Sequence, residues 1–319
     1  MKIKRRLEAY AREVGNCAGL AVLLEVSGSP KPGNVHRYAD FSDTRFEHFL
    51  AAGIVIAQEM ENAALRGIEI GLKNTRTEEA GIGETIKDTV TQVREWHKGG
   101  NTSLGTIILL TPLSVAAGMT HAQNSFSIPK LRKNLREVLE RNTPKDTVQL
   151  YKAISIANPG GLGKVSKLDI SDTSSTEKIM ADEVTLRQVF EISADRDSVS
   201  KEWTNTFTIS FETGFPEFES VYQKTQDTNY ATIHTFLRIL SEVPDTLIAR
   251  KRGEEEAIRI AKRAQEVLEK GGCLTEEGRI ELRKLDSELR DPGNQLNPGT
   301  SADLTAASIL LALLNGFRP

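Results

Sequence analysis

Cysteines and long apolar runs are both scarce in this sequence. The chain of 319 residues has only two cysteines, Cys17 and Cys273. Their separation fits neither a clustered metal site nor a disulfide framework. The most apolar stretches, residues 105–118 and 306–316, are shorter than the roughly 20 residues that a bilayer-spanning helix needs. We therefore interpret both stretches as buried helices and expect a cytoplasmic protein with no membrane partner.

The sequence also lacks an excess of one charge. Lys plus Arg number 41 and Asp plus Glu number 44, which gives a formal net charge of -3. This balance provides no general attraction for nucleic acid, although a local basic pocket for phosphates is compatible with it. Because no linker, repeat or low-complexity tract interrupts the chain, we expect a single domain over residues 1–319.

Helical patterns dominate the chain, and they predict an all-α fold: one compact multi-helix domain with an antiparallel helical core. Apolar residues recur at spacings of three and four in most segments, as on one face of a helix. Strands do not alternate with helices, which disfavours a doubly wound sheet. The predicted helices cover 1–26, 44–72, 77–97, 102–118, 128–142, 144–156, 176–193, 195–206, 228–242, 253–271, 275–290 and 301–317.

Two segments between these helices have other patterns. Residues 158–175 are rich in glycine and small polar residues, which is typical of a loop. Residues 206–216, "TFTISFETGFP", alternate apolar and polar side chains, which predicts a short strand. The alternative for this second segment is a helix end followed by a loop.

Chemically capable side chains are concentrated in residues 29–43, "SPKPGNVHRYADFSD". Gly33 can adopt a positive φ and allow close approach of a ligand, and Lys31 can meet a phosphate. Asp40 and Asp43 are oxygen ligands of the kind that Mg²⁺ accepts together with substrate phosphates. The candidate acid–base groups are His36 and, just beyond the segment, His48. The alternative is an ordinary loop whose polar residues cap the next helix, as the "TRFE" pattern at 44–47 suggests.

Two further segments combine glycine with a predicted helix start. Residues 98–106, "KGGNTSLGT", and residues 297–303, "NPGTSAD", both precede apolar helices. A helix N-terminus beside glycine can bind an anion. The first segment is not a P-loop, since it lacks the Lys–Ser/Thr pair. The alternative is simple capping, by Asn101 in the first segment and by a capping box over 300–303 in the second.

The segment 241–253, "SEVPDTLIARKRG", contains an acid and a run of cations. Asp245 follows a proline and is placed to cap a short helix or to bind a ligand. Arg250, Lys251 and Arg252 lie at the other end, where a helix C-terminus attracts cations in any case. Only one or two of them can face a pocket.

Taken together and in this order, the segments resemble the triphosphoribosyl-dephospho-CoA synthase family. The resemblance is carried by Glu25, "SPKPGNVHR", "DFSD", "GGNTSLG", "PDTLIARKRG" and "NQLNPGTSADLTAA", and it reaches from about residue 25 to residue 312. It implies an all-helical enzyme that transfers a triphosphoribosyl unit from ATP to the 2′-hydroxyl of 3′-dephospho-CoA, releases adenine and depends on Mg²⁺.

The resemblance also implies roles for named residues. The predicted catalytic residues are His36, Asp40, His48 and Asp303. The predicted nucleotide and phosphate ligands are Lys31, Gly33, Asn34, Arg37, Asn101, Thr102, Ser103, Gly105, Arg250, Gly299, Thr300 and Ser301. The predicted metal ligands are Asp40, Asp43 and Asp245. Helical enzymes of this size often dimerise, so a homodimer is one expected assembly.

The chain departs from the family pattern at one place. Where the family has His-Lys after Asn-Thr, this chain has Ser103 and Leu104, while His36 and Arg37 follow "PKPGN". Part of residues 158–203 also resembles a divergent branch of archaea and C1-metabolising bacteria. Two alternatives therefore stay open: an enzyme of the same fold that uses another acceptor in methanopterin-type or other C1-cofactor biosynthesis, and a non-catalytic nucleotide-binding protein.

Overall fold

A computed structural model describes residues 2–123, 126–160 and 175–319, and within these ranges the chain forms helices and no β-strand. The all-α prediction is confirmed. The α-helices are α1 (Lys2–Ser27), α2 (Phe46–Gly71), α3 (Ile82–Trp96), α4 (Leu104–Ala122), α5 (Ile128–Glu140), α6 (Pro144–Ala157), α7 (Ser175–Ala181), α8 (Leu186–Ser193), α9 (Ser198–Asn205), α10 (Phe215–Thr225), α11 (Thr228–Glu242), α12 (Thr246–Arg252), α13 (Glu254–Glu269), α14 (Glu276–Leu289) and α15 (Gly299–Leu314).

The helices α1 and α2 pack antiparallel and unusually close. A Cβ atom added to Gly15 would lie 2.4 Å from the Ala57 carbonyl oxygen, and one added to Gly19 would lie 2.9 Å from that of Gly53. The absence of side chains at these positions lets the two backbones approach each other. This close pair forms one side of the large apolar core.

The helix α4 runs through the middle of that core. It spans 19 residues and extends beyond the predicted 102–118 to Ala122, with Pro112 inside it. By length and composition it is the one helix in the described ranges that is long and apolar enough to cross a membrane, and 89% of its apolar window is buried in the protein. Its surroundings agree with the prediction of a buried helix.

The predicted strand at 206–216 is wrong. The structure has a π-helix at Ile209–Gly214, and α10 follows it directly. The same segment also has a helical spacing, because its buried phenylalanines fall three and four residues apart, as on one face of a helix. These residues are Phe207, Phe211, Phe215 and Phe218. The Glu202 carboxylate fixes the start of this helix by accepting hydrogen bonds from Ile209 N (2.8 Å) and Ser210 N (2.9 Å).

A second apolar cluster is built by α11 to α14. The helix α11 faces both clusters, since Ala231 and Ile239 belong to the large core and Ile233 and Phe236 to the second. The extent of a single domain over residues 1–319 stays a prediction. Most of the predicted loop at 158–175 lies outside the described residues.

Candidate active site

A cleft of about 1210 Å³ is lined by side chains from distant parts of the chain. Its walls come from the end of α1, the segment after it, the start of α4, the helices α6, α8, α9 and α12, and the turn that leads into α15. The predicted site residues that line it are Asn34, Asp43, Asn101, Thr102, Ser103, Gly105, Arg250, Gly299, Thr300 and Asp303.

Asp303 is held between two residues of α4 in this cleft. Its Oδ1 accepts a hydrogen bond of 2.5 Å from Thr106 Oγ1 on α4. Its Oδ2 lies against Gly105, where an added Cβ would come within 2.1 Å of that oxygen. Burial raises the pKa of the Asp303 carboxyl to about 7, and the hydrogen bond from Thr106 only partly offsets this effect. Asp303 can therefore exchange a proton near neutral pH.

A buried ion pair lies close to Asp303. The Lys31 ammonium contacts the Glu25 carboxylate and donates a 3.1 Å hydrogen bond to the Glu25 carbonyl oxygen. Lys31 is fully buried and Glu25 is 5% exposed. Burial lowers the pKa of Lys31, and the charges of Glu25 and Asp303 act against that shift. Lys31 thus contacts Glu25 beneath the cleft, whereas Glu25 itself lines it.

Cations from α12 and from the α8–α9 connection line another part of the cleft. Arg250 forms a 2.8 Å ion pair with Asp197, and Lys251 donates a 2.9 Å hydrogen bond to the Asn294 carbonyl oxygen. Burial lowers the pKa of Lys251. Arg196 lines the same cleft, and its guanidinium has no ion-pair partner among the described residues. These groups are suited to bind phosphate.

The start of α4 contributes a polar strip. Asn101 Oδ1 accepts a hydrogen bond from Leu104 N (3.2 Å), which confirms that Asn101 caps this helix. Thr102 Oγ1 lies 3.2 Å from His97 Nε2. Ser103 is 3% exposed, and its Oγ has no hydrogen-bond partner in the described structure. A buried hydroxyl without a partner is costly, so Ser103 is a candidate ligand group.

Five further predicted residues, in the segment after α1 and in the first turn of α2, do not line the cleft. Gly33 has a φ of +66° and donates a 3.0 Å hydrogen bond from its N–H to Asp286 Oδ1. His36 Nε2 lies 3.6 Å from Asp286 Oδ2. The Arg37 guanidinium donates to the Ser27 carbonyl oxygen (2.7 Å). The remaining two are Asp40 and His48, whose side chains accept backbone hydrogen bonds at the start of α2.

The last two act as capping groups. Asp40 Oδ1 accepts a 2.8 Å hydrogen bond from Phe46 N, and His48 Nδ1 accepts one of 3.1 Å from Arg45 N. The predicted cap at 44–47 is therefore replaced by Asp40, which lies outside that pattern. Because the cleft lining includes none of these groups, the structure does not support direct contact of His36, Asp40 or His48 with a ligand there.

Asp245 has a structural position. It is 1% exposed. Its Oδ1 accepts from Leu247 N (2.9 Å) and Ile248 N (3.1 Å), and its Oδ2 accepts from Ser301 N (2.7 Å) and Ser301 Oγ (2.8 Å). The carboxylate thus caps α12 and α15 together. This geometry favours a capping role for Asp245 and Ser301 over the predicted metal and phosphate roles.

Asp43 is the predicted metal ligand that lines the cleft. It is exposed and accepts no hydrogen bond in the described parts of the chain. No group of three or more His, Cys, Asp or Glu residues within the described ranges is arranged to hold a metal ion. Mg²⁺ often needs only one or two carboxylates, with phosphates and water as its other ligands. Asp43 fits that limited role.

Sequence reasoning missed several residues of the cleft. Glu25 carries part of the family resemblance, but no role was predicted for it. Lys251 is one of three adjacent cations, and the sequence does not show which of them faces the cleft. Thr106 and Asn297 are identified by their contacts alone. No sequence pattern marks Arg196 as a site residue, because it lies between two short helices and belongs to no motif.

Comparisons with known proteins identify the family of this chain. The family model described as "ATP:dephospho-CoA triphosphoribosyl transferase" matches residues 11–318. A relative from Salmonella gallinarum, "Probable 2-(5''-triphosphoribosyl)-3'-dephosphocoenzyme-A synthase", is 27% identical, with 97% of this chain and 94% of the relative covered. A synthase from Klebsiella pneumoniae with the same enzyme name is 24% identical, with 98% of this chain and 94% of the relative covered.

A solved structure has the same fold. It is a crystal structure from Archaeoglobus fulgidus, assigned as a triphosphoribosyl-dephospho-CoA synthase. The TM-score is 0.57 at 24% identity, and the match covers 82% of this chain and 99% of the other.

Proposed function

Because the chain belongs to the ATP:dephospho-CoA triphosphoribosyl transferase family and is an enzyme of that type, we propose that its cleft joins a triphosphoribosyl unit from ATP to an acceptor hydroxyl and releases adenine. The observation that carries this proposal is Asp303, a carboxyl with a pKa of about 7 in a cleft large enough for two substrates. The preferred acceptor is 3′-dephospho-CoA, as the relatives' names state for those proteins.

Cations in the cleft supply the phosphate site. Arg250, Lys251 and Arg196 line one continuous cleft and can bind the oxygens of a triphosphate, while Asp197 offsets part of the Arg250 charge. Asp43 would hold a Mg²⁺ ion that is bound mainly by the phosphates, and the ion would neutralise their charge. Magnesium dependence is therefore part of the proposal.

Asp303 supplies the chemistry. In the transfer, the bond between ribose C1′ and adenine breaks, and its electron pair leaves with adenine, which takes up a proton at a ring nitrogen. The acceptor oxygen bonds to C1′ and loses its proton. Positive charge develops on the ribose meanwhile, and a nearby carboxylate stabilises it. Ionised Asp303 can serve as that carboxylate and as the base for the acceptor hydroxyl.

The start of α4 favours a second candidate, a related transfer to a different acceptor. Where the family motif has His-Lys, this chain has the buried, unpartnered hydroxyl of Ser103 and the buried Leu104. That exchange removes a cation and an acid–base group from the cleft wall. An acceptor with fewer negative charges than dephospho-CoA would suit the altered wall better.

Adenine release from ATP tests the proposal. Purified protein would be incubated with ATP and Mg²⁺, first alone and then with dephospho-CoA or with other hydroxyl acceptors. Release that depends on dephospho-CoA supports the first function, and release that depends on another acceptor supports the second. Release without any acceptor would identify a nucleosidase, and ATP binding without release would identify a binding protein. Either result would contradict the transferase proposal.

A further inference from the structure

Two asparagines form a direct amide pair in the wall of the cleft. Asn34 Nδ2 donates to Asn297 Oδ1 at 2.9 Å and approaches the Pro298 carbonyl oxygen at 3.4 Å. Both side chains line the cleft, and Asn34 is 5% exposed. The pair joins two segments that lie 263 positions apart in the sequence.

The orientation of this pair follows from its chemistry. A backbone carbonyl oxygen can only accept, so the Asn34 atom beside Pro298 must be the amide nitrogen. Asn34 Oδ1 then remains available as an acceptor, and Asn297, which accepts through its oxygen, keeps its own Nδ2 as a donor. Within the described residues Asn34 Oδ1 accepts no hydrogen bond and Asn297 Nδ2 donates none.

Asn34 is also held rigidly in place. The Arg290 guanidinium donates a 3.0 Å hydrogen bond to the Asn34 carbonyl oxygen, and Asp286, bonded to Arg290 at 2.9 Å, accepts from Gly33 N. Gly33 packs so tightly on Leu289 that an added Cβ would lie 2.5 Å from that side chain. A fixed backbone makes the direction of the free acceptor specific, as preorganised ligand groups require.

We propose that Asn34 and Asn297 recognise the adenine ring of ATP, with Asn34 Oδ1 accepting from the exocyclic amine and Asn297 Nδ2 donating to a neighbouring ring nitrogen. Adenine presents this combination of one donor beside one acceptor, and asparagine amides match it. The inference rests on the proposed function, because it names the part of ATP that this wall binds.

The position relative to Asp303 favours the adenine of ATP, although the acceptor hydroxyl also approaches Asp303. Pro298 and Gly299 precede Asp303 by about one turn of α15. Asp303 is the group proposed to face ribose C1′, and the leaving adenine is bonded to that carbon. The adenine ring that the asparagine pair binds is therefore the one attached to ribose C1′ of ATP.

A comparison of two ligands across two variants tests the proposal. ATP and purine riboside triphosphate, which lacks the exocyclic amine, are titrated into wild type, Asn34→Ala and Asn297→Ala in the presence of Mg²⁺. Both substitutions break the same hydrogen bond between the asparagines, but only Asn34→Ala removes the acceptor. Wild type and Asn297→Ala should bind ATP about three- to tenfold more tightly than the analogue, as expected for one hydrogen bond, and Asn34→Ala should bind the two equally.

Other outcomes overturn the inference. The pair does not recognise the exocyclic amine if Asn34→Ala keeps the full preference for ATP over purine riboside triphosphate. If Asn34→Ala instead loses a preference for ATP over 2′-deoxy-ATP, the pair binds the ribose. Weakened binding of dephospho-CoA with unchanged ATP binding would assign it to the acceptor. If wild type binds no nucleotide at all, the proposed function itself fails, which separates the two failures. Thermal unfolding of each variant confirms that it is folded.

Discussion

At the residue scale, single atoms rather than residue types decide what the cleft can do. The sequence placed Asp303 among four catalytic candidates, and the structure separates it from the other three by position. Asp40, His36 and His48 have partners outside the cleft, whereas Asp303 faces it. The sequence could not make this distinction, because a motif gives residue types in order but not the direction of each side chain.

Replacement of Asp303 should abolish most of the activity. We expect Asp303→Asn to lower kcat at least about 100-fold, since a positioned acid–base group contributes that much or more.

The wild-type rate should rise with pH through about 7, because burial raises the pKa of Asp303 to about 7 and the ionised form is the active one. A pH–rate profile measures this limb. Thr106→Val should shift it to higher pH, since the hydrogen bond from Thr106 lowers the Asp303 pKa; an unshifted limb would assign it to another group.

Gly105 should tolerate no side chain, although it lies in the first turn of a helix, α4. Glycine to alanine in a helix normally stabilises by about 1 kcal/mol. Here the new Cβ would meet Asp303 Oδ2 at 2.1 Å and displace the carboxylate. We expect Gly105→Ala to lose about 100-fold in kcat/KM, which is typical of a reacting group that moves by about 1 Å. Gly160→Ala, whose Cβ would be 3.9 Å from its nearest neighbour, is the steric control.

At the element scale, most helices could be predicted because each long segment repeats its apolar residues every three or four positions. The prediction failed at 206–216, where polar residues between the phenylalanines imitate a strand. The deciding interaction comes from a side chain outside that segment: the buried Glu202 carboxylate accepts hydrogen bonds from Ile209 N and Ser210 N and fixes a π-helix. Local pattern cannot show such a contact.

Glu202 should make the stability of the protein depend on pH. Burial raises the pKa of its carboxyl from 4.5 to about 7. The folded state therefore binds the proton more tightly than the unfolded state, and stability should fall as the pH rises from about 4.5 to about 7. The upper limit of this loss is about 3 kcal/mol. Urea unfolding of wild type and Glu202→Gln across this range tests it, and an equal pH slope in both proteins would refute the assignment.

Asp245 should be a stability residue. Its carboxylate caps two helices at once, so Asp245→Asn should lower the free energy of unfolding by about 2 kcal/mol or more. The exposed Asp43→Asn is the matched control and should leave stability unchanged while it weakens the response of activity to Mg²⁺. Denaturant unfolding with and without Mg²⁺ distinguishes the two roles. If Asp245→Asn changed the magnesium response alone, the capping role would be wrong.

At the scale of the whole molecule, the cleft is a product of tertiary packing. Asn34 and Asn297 are bonded, and Thr106 meets Asp303, although 263 and 197 positions separate the two partners. The order of motifs along the chain predicted the family, but only the packing of α4 and α15 against the segment after α1 shows which side chains share a wall. The expected homodimer, the magnesium ion and the cytoplasmic location stay predictions.

The mass of the acceptor after reaction tests the central claim most directly. Purified protein is incubated with ATP, Mg²⁺ and dephospho-CoA, and the acceptor is examined by mass spectrometry while free adenine is quantified. The transferase account predicts an acceptor that has gained one triphosphoribosyl unit for each adenine released, and no such product from Asp303→Asn. Release of adenine from ATP with the acceptor unchanged in mass, or formation of ADP and phosphate in its place, would contradict it.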